Sequence, residues 1–207
     1  MIAGFVLLFV GGASVAKDPP VGLSRKDSGA PFGIRHDRPM RTPAVNATPL
    51  EMEVGYANYA DFLVLLSHAT KWTPAGINVH THGLMYESDG DGLGIDGLTH
   101  AKLIFDLKTT LQGVVLTFPL GPGRKGATAD MARSLGKKYK LVAKDYESFL
   151  DYGTFRFEKG DSIVMVNSPH LSFEMTVIYA TQELYEANKK KLADDERQSQ
   201  EHKDKML

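Results

Sequence analysis

The sequence contains no cysteine among its 207 residues. This absence excludes disulfide bonds, thiolate ligands for a metal ion and a cysteine nucleophile. A chain of this length buries enough surface to fold without disulfide bonds, so the absence is compatible with an exported protein.

The sequence also lacks an excess of charge of either sign. Its 24 lysine and arginine residues and 25 aspartate and glutamate residues leave a formal net charge of -1. No overall positive field draws such a protein to nucleic acid or to an anionic membrane. We therefore expect no nucleic-acid partner.

Long hydrophobic runs are missing as well. The most apolar stretch extends from Ile2 to Val10, inside an uncharged segment at 1–16. It is too short to span a bilayer as a helix. Small residues follow it up to Ala16, which is typical of a signal peptide. The sequence thus predicts a signal peptide at 1–16, a secreted or periplasmic protein, and no stable insertion into a membrane.

Turn-forming residues are abundant, with 20 glycines and 10 prolines, and they favour short strands over long helices. An irregular arm is predicted at 17–48, a β domain at 49–180 and a charged helical tail at 181–207. The apolar run 62–66 fits either a buried strand or one helical turn. One short helix is predicted at 128–135, and strands are predicted at 50–56, 77–82, 101–108, 113–118, 139–143, 154–157, 162–166 and 172–179.

Two histidines, His80 and His82, provide the sharpest chemical feature. In a strand, side chains two residues apart share a face and lie about 6.6 Å apart along the chain. Two neutral imidazoles on one face can bind copper or zinc. Further ligands are available from His100 and His170, and alternatively from His68, Glu87, Asp89 or Asp91.

The segment 78–84, Asn-Val-His-Thr-His-Gly-Leu, resembles the first copper-ligand motif of the multicopper oxidases, in their N-terminal cupredoxin domain. The resemblance implies a cupredoxin-like β-sandwich in which His80 binds the type 2 copper and His82 a type 3 copper. The sequence departs from the family in two ways. The stretch 116–123 has no histidine where the second motif is expected, and no cysteine is present for a type 1 copper. A complete trinuclear cluster with its electron donor is therefore excluded, and a metal-binding module or a degenerate oxidoreductase remains.

Other readings stay open beside this one. The segment Gly121–Gly126, Gly-Pro-Gly-Arg-Lys-Gly, matches the dinucleotide-binding pattern and predicts a nucleotide-binding βαβ unit, although Pro122 removes one backbone N–H from the loop. A zinc enzyme with histidines on strands, as in carbonic anhydrases, is a second alternative. An amidohydrolase barrel needs about 250 residues, more than this chain has. The last alternative is a structural or interaction domain in which the charged C-terminal helix contacts a protein partner.

The favoured prediction is an exported, mostly β protein: a cupredoxin-like β-sandwich with one short internal helix and a charged C-terminal helix. Its metal, copper or zinc, is expected at His80, His82, His100 and His170. If the protein is an enzyme, we expect a copper-dependent oxidoreductase or a zinc-dependent enzyme.

Overall fold

A computed structural model of the chain describes residues 43–121 and 126–206, with side chains up to Glu201. The predicted signal peptide, most of the predicted arm and residues 122–125 of the glycine-rich loop lie outside these ranges. In chain order the elements are a 3-10 helix (Pro49–Glu51), α1 (Tyr59–Leu65), β1 (Thr73–Ile77), β2 (His82–Ser88), β3 (His100–Asp106), β4 (Leu111–Pro119), α2 (Ala127–Gly136), β5 (Lys140–Glu147), β6 (Tyr152–Lys159), β7 (Ser162–Ser168), β8 (Glu174–Thr181) and α3 (Gln182–Met206).

All eight strands form one antiparallel sheet in the order β1-β2-β3-β4-β8-β7-β6-β5. The first four strands and the last four each form a meander, and the pairing of β4 with β8 joins the two meanders. The sheet is not closed, and β1 and β5 are its edges. The prediction of a mostly β protein is confirmed. A sandwich of two sheets is not, because helices and irregular segments cover this single sheet.

The two faces of the sheet bury separate sets of apolar side chains. On the first face, residues of 47–66 and of α2 pack over the sheet, around side chains such as Phe105, Leu116 and Phe157. On the second face, Leu184 and Tyr185 from the start of α3 pack against side chains such as Ile104 and Ile178. Because both faces are covered, all seven residues of β7 are buried.

The C-terminal helix α3 was predicted from its charged composition, and the structure confirms it. It spans 25 residues, but only Leu184, Tyr185 and Asn188 among its described side chains are buried. Beyond Asn188, most of its described side chains are exposed. Among the described residues, no helix combines the length and the apolar character that crossing a bilayer requires.

The predicted strand at 50–56 is wrong. That stretch begins with the 3-10 helix and continues into a turn at 54–56. Met52 and Val54 are apolar because both are fully buried under the first face. Glu53, between them, is polar because its carboxylate accepts hydrogen bonds from the backbone N–H groups of Val45 and Asn46. An irregular segment can therefore imitate the alternation of a strand.

The ambiguous run at 62–66 is helical. Asn58 caps α1 by accepting hydrogen bonds from the backbone N–H groups of Ala60 and Asp61, while the Asp61 carboxylate accepts one from the N–H of Asn58. This reciprocal capping box stabilises a helix start.

The predicted helix at 128–135 and the strands on either side of it are confirmed within a few residues. The strand β1 was missed because Pro74 and Gly76 interrupt it, which an edge strand tolerates.

Phe157 offers a direct test of the packing of the first face. It is 1% exposed, whereas its register partner on β5, Leu141, is 48% exposed. We expect Phe157→Ala to lower the free energy of unfolding by about 3–5 kcal/mol, because it removes a large side chain and leaves a cavity. The matched control Leu141→Ala should change it by less than about 1 kcal/mol. Urea unfolding followed by circular dichroism measures both, and equal losses would contradict the described packing.

Candidate functional site

Of the two histidines singled out from the sequence, His80 lies in a tight turn and His82 is the first residue of the strand that follows it. β1 ends at Ile77 and β2 begins at His82. The side-chain Oδ1 of Asn78 accepts hydrogen bonds from the backbone N–H groups of His80 and Thr81, at 2.9 and 3.0 Å. The N–H of His82 donates to the carbonyl of Asn78 at 2.9 Å. The predicted strand at 77–82 is therefore wrong, because an Asn side chain here closes a turn.

The turn changes what the spacing of the histidines means. His82 has φ 55°, in the left-handed region, so the alternation of a regular strand does not apply to the pair. His80 lines a polar cavity of about 160 Å³ together with Glu183 and Leu184 of α3. His82 lines a different pocket, which contains Tyr59 and Phe105 of the first face. His80 and His82 thus line two cavities, which share Asp106.

The other two predicted ligands lie elsewhere. His100 is the first residue of β3, whereas Asp106, the register partner of His82, is the last. The Nε2 atom of His100 lies 3.7 Å from Oε2 of Glu87. The ring of His170, in the β7–β8 connection, lies 4.8 Å from the ring of Tyr152. Over residues 43–121 and 126–201, no group of three or more histidine, aspartate or glutamate side chains is arranged to hold a metal ion. The structure does not bring the four predicted histidines together.

His80 instead connects the β1–β2 hairpin to α3. Its side chain is hydrogen-bonded to that of Asn188, which is buried and donates through Nδ2 to the carbonyl of Leu184 at 2.8 Å. Burial, and next the positive charge of Lys191, lower the pKa of His80 below its usual 6.5, and the hydrogen bond to Asn188 only partly opposes them. A neutral imidazole is therefore favoured at this contact.

The pocket beside His82 is the most apolar concave site near the hairpin, and we call it the aromatic pocket. It has a volume of about 370 Å³ and lies between the hairpin and the β3–β4 turn. Tyr59, Tyr86 and Phe105 supply its aromatic lining. Three aliphatic side chains with large exposed fractions line the same pocket: Ile77 at 63%, Leu84 at 50% and Leu107 at 76%.

An aromatic cluster supports this pocket. The rings of Tyr59, Phe62, Tyr86 and Phe105 have centroid separations between 5.3 and 6.2 Å, and Trp72 lies 5.6 Å from Phe62. The hydroxyl of Tyr86 donates to that of Tyr59 at 3.2 Å. Burial first, and then this hydrogen bond, raise the pKa of Tyr86 to about 12, so its hydroxyl is neutral at physiological pH.

Asp106 is the one carboxylate of the aromatic pocket, and local groups already engage it. Its Oδ1 accepts hydrogen bonds from the backbone N–H groups of Lys108 and Thr110, and its Oδ2 accepts one from Nε2 of Gln112. These bonds hold the β3–β4 turn, which presents Leu107 to solvent. The sequence carried a signal for this site, since Leu107 is an isolated large apolar residue in the polar turn 106–110.

The glycine-rich alternative is only partly within the described residues. The sheet is antiparallel throughout, and three strands separate β4 from β5, so the elements flanking α2 do not form the expected βαβ unit. In addition, Oδ2 of Asp151 lies 3.4 Å from the backbone N of Thr128 in the first turn of α2. A carboxylate therefore occupies the helix start where a phosphate is expected.

Searches among known protein families, curated proteins and solved structures found no match to this chain.

The contact of His80 predicts a dependence of stability on pH. Because the folded protein lowers the pKa of His80, the unfolded chain binds the proton more readily. The stabilising contribution is present above pH 6.5 and is lost as the pH falls below that value. We expect urea unfolding at pH 7.5 and 5.5 to show a larger loss of stability in the wild type than in His80→Gln. His170→Gln is the control, because His170 is exposed and distant from α3. Its loss of stability between the two pH values should equal that of the wild type. Identical pH dependence in His80→Gln and the wild type would contradict the contact.

Copper or zinc binding through His80 and His82 stays a prediction from the sequence. Elemental analysis of purified protein tests it, with the wild type beside His80→Ala/His82→Ala and a His100→Ala/His170→Ala control. Stoichiometric metal that is lost only in the first variant would establish the pair as ligands. Metal-free wild type after growth with added copper and zinc would end the hypothesis.

Proposed function

We propose that this chain is a binding protein whose aromatic pocket holds a small, uncharged, largely apolar ligand. One observation carries the proposal: Ile77, Leu84 and Leu107, each at least half exposed, line a cavity of about 370 Å³ with an aromatic interior. Contiguous apolar surface in contact with water is unfavourable, and in monomeric proteins it is commonly functional.

The dimensions of the aromatic pocket indicate a small ligand. Ligand pockets commonly have volumes of about 300–1,000 Å³, and this one lies near the lower limit. A molecule with one or two rings, or a short aliphatic chain, is of suitable size. Burying it against Leu84 and Leu107 would remove both the ligand and these side chains from water, which is the main source of affinity in such a site.

The charge of the lining favours a neutral ligand. No lysine, arginine or glutamate is among the described residues that line the aromatic pocket. The Asp106 carboxylate is engaged by its own turn, and the Tyr86 hydroxyl stays protonated. An ionised ligand would lose its hydration without gaining a dedicated counter-ion. His82, exposed beside the pocket, can hydrogen-bond to one polar group of the ligand.

The lining also favours binding over catalysis. Its one carboxylate, Asp106, accepts two hydrogen bonds from backbone N–H groups of its own turn and one from the side chain of Gln112 in β4. Among the described residues, neither His82 nor Asp106 is hydrogen-bonded to a side-chain hydroxyl of the lining, the pairing that activates a nucleophile in covalent catalysis.

A neutral fluorescent probe, N-phenyl-1-naphthylamine, tests the proposal. We expect saturable binding of one probe per chain, competition by neutral aromatic alcohols, and quenching of the single tryptophan, Trp72, whose ring neighbour Phe62 contacts Tyr86. Leu84→Asp should weaken binding at least tenfold, which corresponds to about 1.4 kcal/mol, because it places a charge in the apolar lining.

Leu141→Asp is the matched control for this experiment. Leu141 is 48% exposed, close to the 50% of Leu84, but it lies on the edge strand β5, at the far side of the sheet from β2. It should bind the probe as the wild type does. Equal weakening in both variants, or binding that does not saturate, would refute the aromatic pocket as the site.

A further inference from the structure

A second apolar surface lies at the other end of the sheet, and we call it the loop patch. It consists of Phe149 and Leu150 in the β5–β6 turn and of Leu171 and Phe173 in the β7–β8 connection. Their exposed fractions are 75%, 54%, 85% and 80%. These four side chains line a cavity of about 370 Å³, which is also bounded by Tyr152 and His170.

Hydrogen bonds hold the loop patch in place. The carbonyl of buried Asp151 accepts from the hydroxyls of Thr128 and Ser168, at 3.3 and 3.0 Å. Its carboxylate accepts from the Tyr146 hydroxyl at 2.6 Å. This anchor ties the β5–β6 turn to both α2 and β7. The exposure of Phe149 and Leu150 therefore belongs to an ordered turn and presents a preformed apolar surface.

Two glutamates border the loop patch. Glu147 and Glu174 are exposed next to Phe149 and Phe173, and the Glu147 carboxylate accepts a hydrogen bond from the N–H of Phe149 at 3.0 Å. No lysine or arginine is among the described residues that line the cavity. An apolar surface with acidic neighbours is complementary to a peptide that combines apolar and basic side chains.

Such a peptide is present in this chain, just before its first described residue. The segment 31–41 reads Pro-Phe-Gly-Ile-Arg-His-Asp-Arg-Pro-Met-Arg. It combines three large apolar residues, Phe32, Ile34 and Met40, with three arginines and a single aspartate. Its composition matches the loop patch in both polarity and charge.

The length of chain between this segment and the sheet is sufficient for the contact. The described chain starts beside the β6–β7 turn, where the side chain of Asn46 accepts a hydrogen bond from the N–H of Asp161. The loop patch lies at the other end of β6, whose eight residues span about 27 Å. Ten residues separate Phe32 from Pro43, and an extended chain of that length covers up to about 35 Å.

We propose that residues 31–41 bind in cis to the loop patch, with Phe32 and Ile34 covering its apolar side chains and the arginines facing Glu147 and Glu174. The contact joins the arm to the β5–β6 turn and to the β7–β8 connection. It is independent of ligand binding at the aromatic pocket, because the two sites lie at opposite ends of the sheet.

Hydrogen–deuterium exchange of the full chain tests the proposal. In the wild type, the backbone amides of 148–152 and 170–174 should exchange at least tenfold more slowly than in Phe32→Ser/Ile34→Ser. Val21→Ser/Leu23→Ser removes two apolar residues elsewhere in the arm and should leave the exchange unchanged. The amides of the buried strand β7 report whether each variant keeps its fold.

Three results would overturn the proposal. The first is equal exchange at the loop patch in the wild type and in Phe32→Ser/Ile34→Ser. The second is the same increase in the Val21→Ser/Leu23→Ser control. The third is protection that disappears on tenfold dilution, which would assign the loop patch to a second copy of the chain. Conversely, Leu171→Asp/Phe173→Asp should increase exchange within 31–41, which supports the contact from its other side.

Discussion

The pairing of β4 with β8 is the constraint on which the fold depends. It joins two meanders that are otherwise separate, and it extends from Gly113 opposite Ala180 to Pro119 opposite Glu174. Along these strands alternate residues serve the two faces, so that Val114 and Val177 belong to the first core whereas Val115 and Ile178 belong to the second. Gly113 also allows α3 to approach, because a Cβ there would lie 3.0 Å from the Leu184 side chain. One strand pair therefore places the helical layers on both faces.

The antiparallel sheet also determines where the apolar binding surfaces form. Its connections collect at two ends, and the exposed apolar side chains lie mainly in or next to these connections. The β1–β2 hairpin and the β3–β4 turn form the aromatic pocket at one end, while the β5–β6 turn and the β7–β8 connection form the loop patch at the other. At both ends a hydrogen-bonded aspartate, Asp106 or Asp151, holds the turn that presents leucine or phenylalanine to solvent. Ordered turns of this kind are preformed surfaces, which reduces the entropy lost on binding.

The hairpin shows how a single side chain redirects a motif. Asn78 closes the turn, and Gly83 lets β2 pass the backbone of β3, since a Cβ at Gly83 would lie 2.2 Å from the Phe105 carbonyl oxygen. His80 then contacts α3 and His82 borders the aromatic pocket. The histidine pair that suggested a copper-ligand motif thus lies at a helix contact and at a pocket rim.

Local sequence patterns were sufficient for much of the architecture. The mostly β content, the strands from β3 onward, the short helix α2 and the charged helix α3 follow from periodicity and turn residues, because these signals act between near neighbours in the chain. The alternation at 50–56 and at the histidines was misleading, since buried irregular segments and side-chain-closed turns can produce the same pattern. Only the tertiary structure decided that eight strands share one open sheet and that residues distant in sequence, such as Tyr59, Leu84 and Leu107, form one pocket. Those contacts arise from long-range strand pairing and burial; the exposed Leu107 in its polar turn is a local signal for one member of the pocket, but not for the residues that it meets there.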